Sequence, residues 1–571
     1  MHERVARPLA PAAAASGELL PSGASAAPGA RTITTPPADE PGSASGGEFA
    51  RVRGVALGMA VMIAATYVVP GLQSLRPWVP GGDYVPFWNV VGREWLGEGK
   101  VLEAETARVN ALRKAAEAQS AAAQSPPTRG SSLANEPLAR TAPAQTAAVE
   151  PTFPPYQPRL SEPPSHGIES PEALDGYFRK LTLVDLGQPG AIARTGHWGD
   201  SVLGVDGITS GIRRRLQGRF GDAGHGFHLM DRYHPAYRQQ GIGFEPASRW
   251  ERCLIVWDCR KNERRYGYGG LLAYSAGGAT SVWTTPEAGW GSSVSRFELW
   301  FAREERGGKL EVLIDGTHNF PIEADGAPLE DAWFAVSVPP GPHRFEVRAA
   351  GGGLVRAYGV VLENDGPGVV WDGMALVGGS TRGLRTQNPA HIAKQIAKRN
   401  LDLVAFMFGG NDLERNYVDL KDSMQPYYDE YSDVLSRFRA GKPGLACLVL
   451  SPIDHGRRLR NGDIAPKSFV KQLVDAQREV ARRNGCGFFD VYSATGGEGT
   501  AARWFRARPR LISPDLGHPT EVGHEVIAGL VANAILAGYE QYRARMQGEP
   551  LPELAQGASS DAAAPASAAP R

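Results

Sequence analysis

Attack on a carbonyl needs a nucleophile, a base with something to orient it, and donors for the oxyanion. Ser201 stands in Gly199-Asp200-Ser201, where a strand-like run from Pro189 gives way to an amphipathic helical stretch, Gly204–Gln217. A serine at such a strand–turn–helix step gains from the helix dipole, and its own N–H points at an incoming anion. Asp515 and His518 lie three residues apart, just before Pro519 and a helical pattern that runs to about Tyr542. An aspartate so placed can hold the ring nitrogen that faces away from the serine and stabilise the imidazolium. Leu401–Phe408 is a continuous apolar run of the buried parallel-strand kind, and it ends in Gly409-Gly410-Asn411-Asp412. An amide there can donate to a developing oxyanion. Gly378-Gly379 follows another apolar strand in the same way.

Taken singly, these residues mean little. Serine caps helices far more often than it attacks esters, and a lone histidine is usually a satisfied one. Asp206, His197 and His524 read as structural, and Ser380 lacks the Gly-x-Ser-x-Gly elbow. His524-Glu525 opens an H-E-x-x-H pattern, but Ala528 replaces the second histidine, so no zinc protease is implied.

The elements that must position these residues alternate. Strands are expected near 190, 370, 404, 448 and 488. Helices are expected near 390–399 (Asn388 cap, Pro389 at the first position), 420–439, 467–484 and 520–542, with a short one opened by Ser170 as cap and Pro171. Between Ser201 and Gly378 the pattern changes. Residues 230–364 hold seven or so short strands separated by Gly, Pro and Asp turns, which suggests an antiparallel sandwich or jelly roll.

In order, Gly-Asp-Ser (199–201), a downstream glycine (Gly378), Gly-x-Asn-Asp (409–412) and Asp-x-x-His (515–518) resemble the four blocks of the SGNH (GDSL-type) hydrolase superfamily. The resemblance spans about 180–545 apart from one insertion. It implies a flavodoxin-like three-layer α/β/α fold with the site at the carboxyl ends of the strands. It makes Ser201 the nucleophile, His518 the general base and then acid, and Asp515 the residue that orients it. The Ser201 N–H, the N–H of Gly378 or Gly379, and the Asn411 side chain would form the oxyanion hole. No metal or cofactor is required. The chain departs from its nearest relatives at Val377, where they often carry Asn, and at Val202, where they often carry His.

The layout, and the segment RRRLQGRFGDAGHGF, are similar to extracytoplasmic peptidoglycan O-acetylesterases, which carry a β-sandwich of carbohydrate-binding type between the first two blocks. That implies a serine esterase removing acetyl groups from a cell-envelope polysaccharide, peptidoglycan first. Two alternatives stay open. One is an O-acetyltransferase using the same triad beside a membrane-bound O-acyltransferase. The other is a tethered glycan-binding protein with an inert hydrolase domain.

Composition sets the surroundings. Lys+Arg and Asp+Glu are both 61, so formal net charge is zero, which argues against a nucleic-acid partner or a polybasic membrane binder. Residues 1–53 are read as a disordered cytoplasmic tail, and the uncharged run 54–75 as one transmembrane helix that anchors the chain. Residues 76–165 read as a stalk and Pro/Ala-rich linker, with a polar helix over 101–123 and Trp78, Trp88 and Trp95 near the membrane or in a satellite cluster. Arginines preceding the run place the catalytic part (166–229 and 365–545) outside the cytoplasm, periplasmic in a Gram-negative cell, and 546–571 reads as a second tail. The four cysteines form no CxxC pair. Cys253 and Cys259 share a run in which they cannot bridge while it stays extended, and a Cys447–Cys486 bond is left open. Trp250, Trp257, Trp283, Trp290, Trp300 and Trp333 are each read as sandwich core rather than sugar platforms.

Overall fold

The computed structural model describes residues 64–65, 67–69, 152–160, 164–246, 249–257, 259, 263–415 and 423–550. The tails 1–53 and 551–571, the 101–123 helix and Trp78, Trp88 and Trp95 lie outside them. So does most of the 54–75 run, of which Ala64–Ala65 and Tyr67–Val68 are helical and Tyr67, Val68 and Val69 are exposed.

A five-stranded parallel sheet organises the catalytic part. Its strands are β1 (Ile192–Gly199), β2 (Gly368–Ala375), β3 (Leu403–Met407), β4 (Ala446–Leu450) and β5 (Gly487–Phe489), in the order β2-β1-β3-β4-β5. β3 and β4 are buried at every position, as a sheet covered on both faces requires. The longer helices among the described residues are α1 (Asp175–Asp185), α2 (Gly207–Phe220), α3 (Pro389–Arg399), α4 (Gln425–Arg439), α5 (Val470–Arg483) and α6 (Glu521–Met546). Asn388 caps α3 by accepting from the His391 N–H at 3.0 Å, with Pro389 at the first position. Ser170, expected as a cap, does not act as one. It sits in the left-handed region at φ 53° and makes no side-chain capping bond.

The register explains why the sequence blocks meet. Gly199 pairs with both Ala375 and Met407, and Met407 pairs with Leu450. Four strands therefore end level. The loops that begin at Asp200, Leu376, Phe408 and Ser451 all leave from the same edge of the sheet.

Between α2 and β2 the chain forms two antiparallel sheets. One runs in the spatial order 330–341, 294–303, 355–363, 271–275, 251–254, with 224–229 also paired to 355–363; the other runs 243–246, 280–284, 344–351, 309–314, 318–323. They share a core in which Phe297 of the first stacks on Phe345 of the second at 4.5 Å between ring centres. Where they adjoin the parallel sheet, charges are buried. Arg399 of α3 bonds Asp372 of β2 at 2.8 Å and Glu363 at 2.6 Å, while Arg194 of β1 bonds Glu363 at 2.8 Å.

Three expectations change here, and one question left open is answered. The run holding Cys253 does not stay extended: its strand stops at Leu254 and the chain turns over 255–257, bringing the Cys253 and Cys259 Cα atoms to 5.3 Å as a disulfide. Cys447 and Cys486 are also bonded. Trp257 is not core but 51% exposed, whereas Trp250, Trp283 and Trp300 are buried and Trp290 and Trp333 half-buried. Finally, part of the expected linker is docked. Phe153 is buried against Tyr542, and Glu540 of α6 accepts from the Arg159 and Leu160 N–H groups at 2.6 and 3.0 Å. Among the described helices only α6 is long and apolar enough to cross a membrane, and 72% of its most apolar window is buried in the protein.

Candidate active site

Ser201 opens a single 3-10 turn (Ser201–Leu203) directly after β1. Asp200 fixes that turn: its carboxylate accepts from the Val202 N–H at 3.0 Å and from the Gly410 N–H at 3.2 Å. One buried side chain thus ties the serine turn to the loop that carries Asn411. Burial raises the Asp200 pKa, partly offset by the Val202 N–H and the nearby His518.

The loop before α6 brings its histidine to the serine. Ser201 Oγ lies 2.7 Å from His518 Nε2, and His518 Nδ1 lies 2.7 Å from Asp515 Oδ2. The second carboxylate oxygen of Asp515 accepts from the Gly517 and His518 N–H groups, each at 3.0 Å. Partial burial works to raise the Asp515 pKa, but those two N–H bonds and the His518 ring outweigh it and hold the carboxyl below its usual range. An ionised Asp515 requires the proton on Nδ1, which leaves Nε2 as the acceptor facing Ser201. The geometry is that of an activated serine whose base is oriented by a third group.

A cavity of about 150 Å³ opens beside Ser201 and His518, with Asn411, Gly409 and Pro452 in its wall. The Asn411 amide donates to the Gly379 carbonyl at 2.8 Å, so the loops after β3 and β2 are joined. Gly379 cannot offer its own N–H to a ligand, because it donates to the Leu376 carbonyl at 2.6 Å. Gly378 has φ +78°, a conformation that favours glycine, and open space where a Cβ would stand. Gly378 does not line the cavity itself; it sits one residue from the carbonyl that Asn411 holds.

The residues read as structural are so placed. Asp206 pairs with Arg213 at 2.8 Å, His197 is buried beside Trp371, and His524 is buried against Gly207 with its pKa pushed down to about 4 by that burial. Two residues were missed. His455 and Lys467 both line the cavity. The His455 ring bonds the Ile453 carbonyl through Nδ1 at 2.9 Å and lies against Gly410 and Gly517. A carbonyl only accepts, so Nδ1 carries the proton. The available signal was positional: Ser451–His455 leaves β4 at the level where the other three blocks leave their strands.

Residues 342–526 match the model of the GDSL-like lipase/acylhydrolase family. That span includes Gly378, Asn411, Asp515 and His518 but not Ser201, from which most of the antiparallel strands separate it in sequence. Among solved structures, a peptidoglycan O-acetylesterase is similar with a TM-score of 0.54 at 19% identity, over 65% of this chain and 96% of that one. An acetylxylan esterase from Geobacillus stearothermophilus is similar at 20% identity over 29% of this chain and 73% of its own, with a TM-score of 0.22. No curated protein matches.

Proposed function

From the premise that this chain carries a hydrolase domain of the SGNH (GDSL-like) superfamily, we propose that it is a serine esterase that removes acetyl groups from a cell-envelope polysaccharide, peptidoglycan in the first instance. The observation that carries the reading is the unbroken line Ser201 Oγ–His518 Nε2, His518 Nδ1–Asp515 Oδ2, 2.7 Å at each step. In this reading Ser201 attacks the ester carbonyl as His518 takes its proton. Asp515 stays ionised and stabilises the imidazolium. The oxyanion is held by the Ser201 N–H and by the second N–H of the Asn411 amide, whose first is given to Gly379, each such donor being worth about 3 kcal/mol at the transition state. His518 then protonates the leaving sugar oxygen, and water, deprotonated by the same ring, releases acetate.

The substrate and location rest on separate supports. Two disulfides suit an oxidising compartment. The uncharged run 54–75 suits an anchor that leaves the catalytic part outside the cytoplasm. Trp257, exposed on the loop closed by Cys253 and Cys259, offers an aromatic face to a sugar ring.

Ser201→Ala is expected to lower hydrolysis of 4-nitrophenyl acetate by at least about a thousandfold with an unchanged melting temperature. Turnover within tenfold of the native rate would end the assignment. Following released acetate and acetyl gained by an added oligosaccharide in the same reaction separates hydrolysis from transfer.

A further inference from the structure

The chain is neutral overall, but the ground beside the cavity is not. Two segments border it. The hairpin Gly456–Arg458/Ile464–Pro466 runs between His455 and Lys467, both of which line the cavity. The helix Thr500–Arg506 and the residues after it lead into the loop of Asp515 and His518. The two segments are packed together: Gly456 donates to the Leu516 carbonyl at 2.8 Å, and a Cβ on Gly456 would touch Ile464, Ala501 and Leu516. Residues 456–467 and 500–510 hold eight Lys and Arg against one acid, Asp463.

Six of these, Arg457, Arg458, Arg460, Arg506, Arg508 and Arg510, are exposed, and none has a carboxylate partner among the described residues. Other arginines among the described residues do have carboxylate partners, Arg213, Arg219 and Arg478 among them. Arg458 and Arg510 lie over the Phe505 ring at 4.7 and 4.2 Å, so one aromatic side chain holds two guanidiniums in place. Like charges gathered without counter-charges repel one another and gain from an anion that the protein itself does not supply. Ordered planar guanidiniums suit carboxylates, which they bind through two parallel hydrogen bonds.

We infer that this arginine surface is a binding site for a carboxylate-bearing polysaccharide, the strand whose ester enters the cavity alongside. The site deepens the esterase reading by giving its substrate a charge. Its test does not need catalysis, so the two can fail separately. The full chain is titrated against a fluorescently labelled octagalacturonate and against its fully methyl-esterified, uncharged counterpart, at low and physiological salt. The acidic oligosaccharide is expected to bind at least about tenfold more tightly at low salt, with a preference that shrinks as salt rises. Arg458→Gln/Arg508→Gln/Arg510→Gln should abolish the preference, and the triple lysine variant should keep most of it. Arg457→Gln/Arg460→Gln, which disturbs no ring contact, should weaken it several-fold. Equal binding of the two oligosaccharides, or a preference untouched by both glutamine variants, overturns the inference. So does tighter binding, at equal anion concentration, to vesicles containing anionic lipid or to duplex DNA.

Discussion

Two buried carboxylates hold the Asn411 turn in place. Asp200 ties the serine turn to Gly410, while Asp412 accepts from the Thr381 hydroxyl at 2.8 Å. Burial pushes the Asp412 pKa up to about 7 against the pull of Thr381, and the charge of Asp200 adds to the rise. Unfolded, the same group titrates near 3.8. Between those values the folded chain keeps a proton that the unfolded chain has lost. Its contribution therefore favours folding below about pH 4 and is withdrawn as pH climbs through 7. Asp412→Asn keeps an acceptor for Thr381 and removes the titration. Its stability relative to the native protein should rise from pH 4 to pH 8 by about 4 kcal/mol, read from urea midpoints; parallel pH curves would contradict this. Asn411→Ala addresses the chemistry next door and should lower kcat on a small acetyl ester about a hundredfold with little change in KM; an unchanged kcat would remove this amide from the oxyanion hole. Ser201, Asp515, His518 and Asn411, which meet at one cavity, were legible because each sits in a short block of recognisable spacing and order. His455 and Lys467 were not: each reaches the cavity through where its loop leaves the sheet, and no local spacing marks that.

At the level of elements, the parallel strands were the easiest to read, because a strand buried on both faces is a nearly unbroken apolar run, as Leu403–Met407 is. The turn at 255–257 was hidden inside such a run. ERCLIVWDC reads as one strand until Cys259 folds back on Cys253, and that closure turns Trp257 outward where core was expected. If Trp257 stacks on sugar, Trp257→Ala should raise KM for an acetylated polysaccharide several-fold more than KM for 4-nitrophenyl acetate. Equal effects on both substrates would make the ring a local packing element. The Cys447–Cys486 bond joins β4 to the residue before β5, across 39 residues of sequence. Replacing both cysteines with serine should cost about 2–4 kcal/mol by loss of the constraint on the unfolded chain. Denaturant unfolding with and without reductant measures it, and a native protein indifferent to reductant would count against the bond.

For the whole molecule, averages conceal what neighbours reveal. A net charge of zero argued against a nucleic-acid partner or a polybasic membrane binder, yet 456–467 and 500–510 gather eight cations against one acid. The opposite concealment lies at the seam between the parallel and antiparallel sheets, where Arg399, Glu363 and Asp372 are buried together and Arg194 is largely covered. Burial alone would raise the Glu363 pKa, but the Arg194 and Arg399 guanidiniums hold it well below the usual carboxylate range. That contribution is present above about pH 4.5 and is lost as acid protonates the group. One hydrophobic core runs across the same seam, with Trp198 and Trp371 of the parallel sheet in continuity with Tyr268 and Trp300 of the intervening segment. The seam therefore couples the two parts rather than merely joining them. Arg399→Met leaves two buried carboxylates short of a cation and should cost about 3–5 kcal/mol. Because the core is shared, calorimetry should show one transition from Ile168 to the end of α6, moved downward as a unit. Two separate transitions, with only one of them shifted, would mean that the antiparallel sheets fold on their own and that the buried charges serve one side alone.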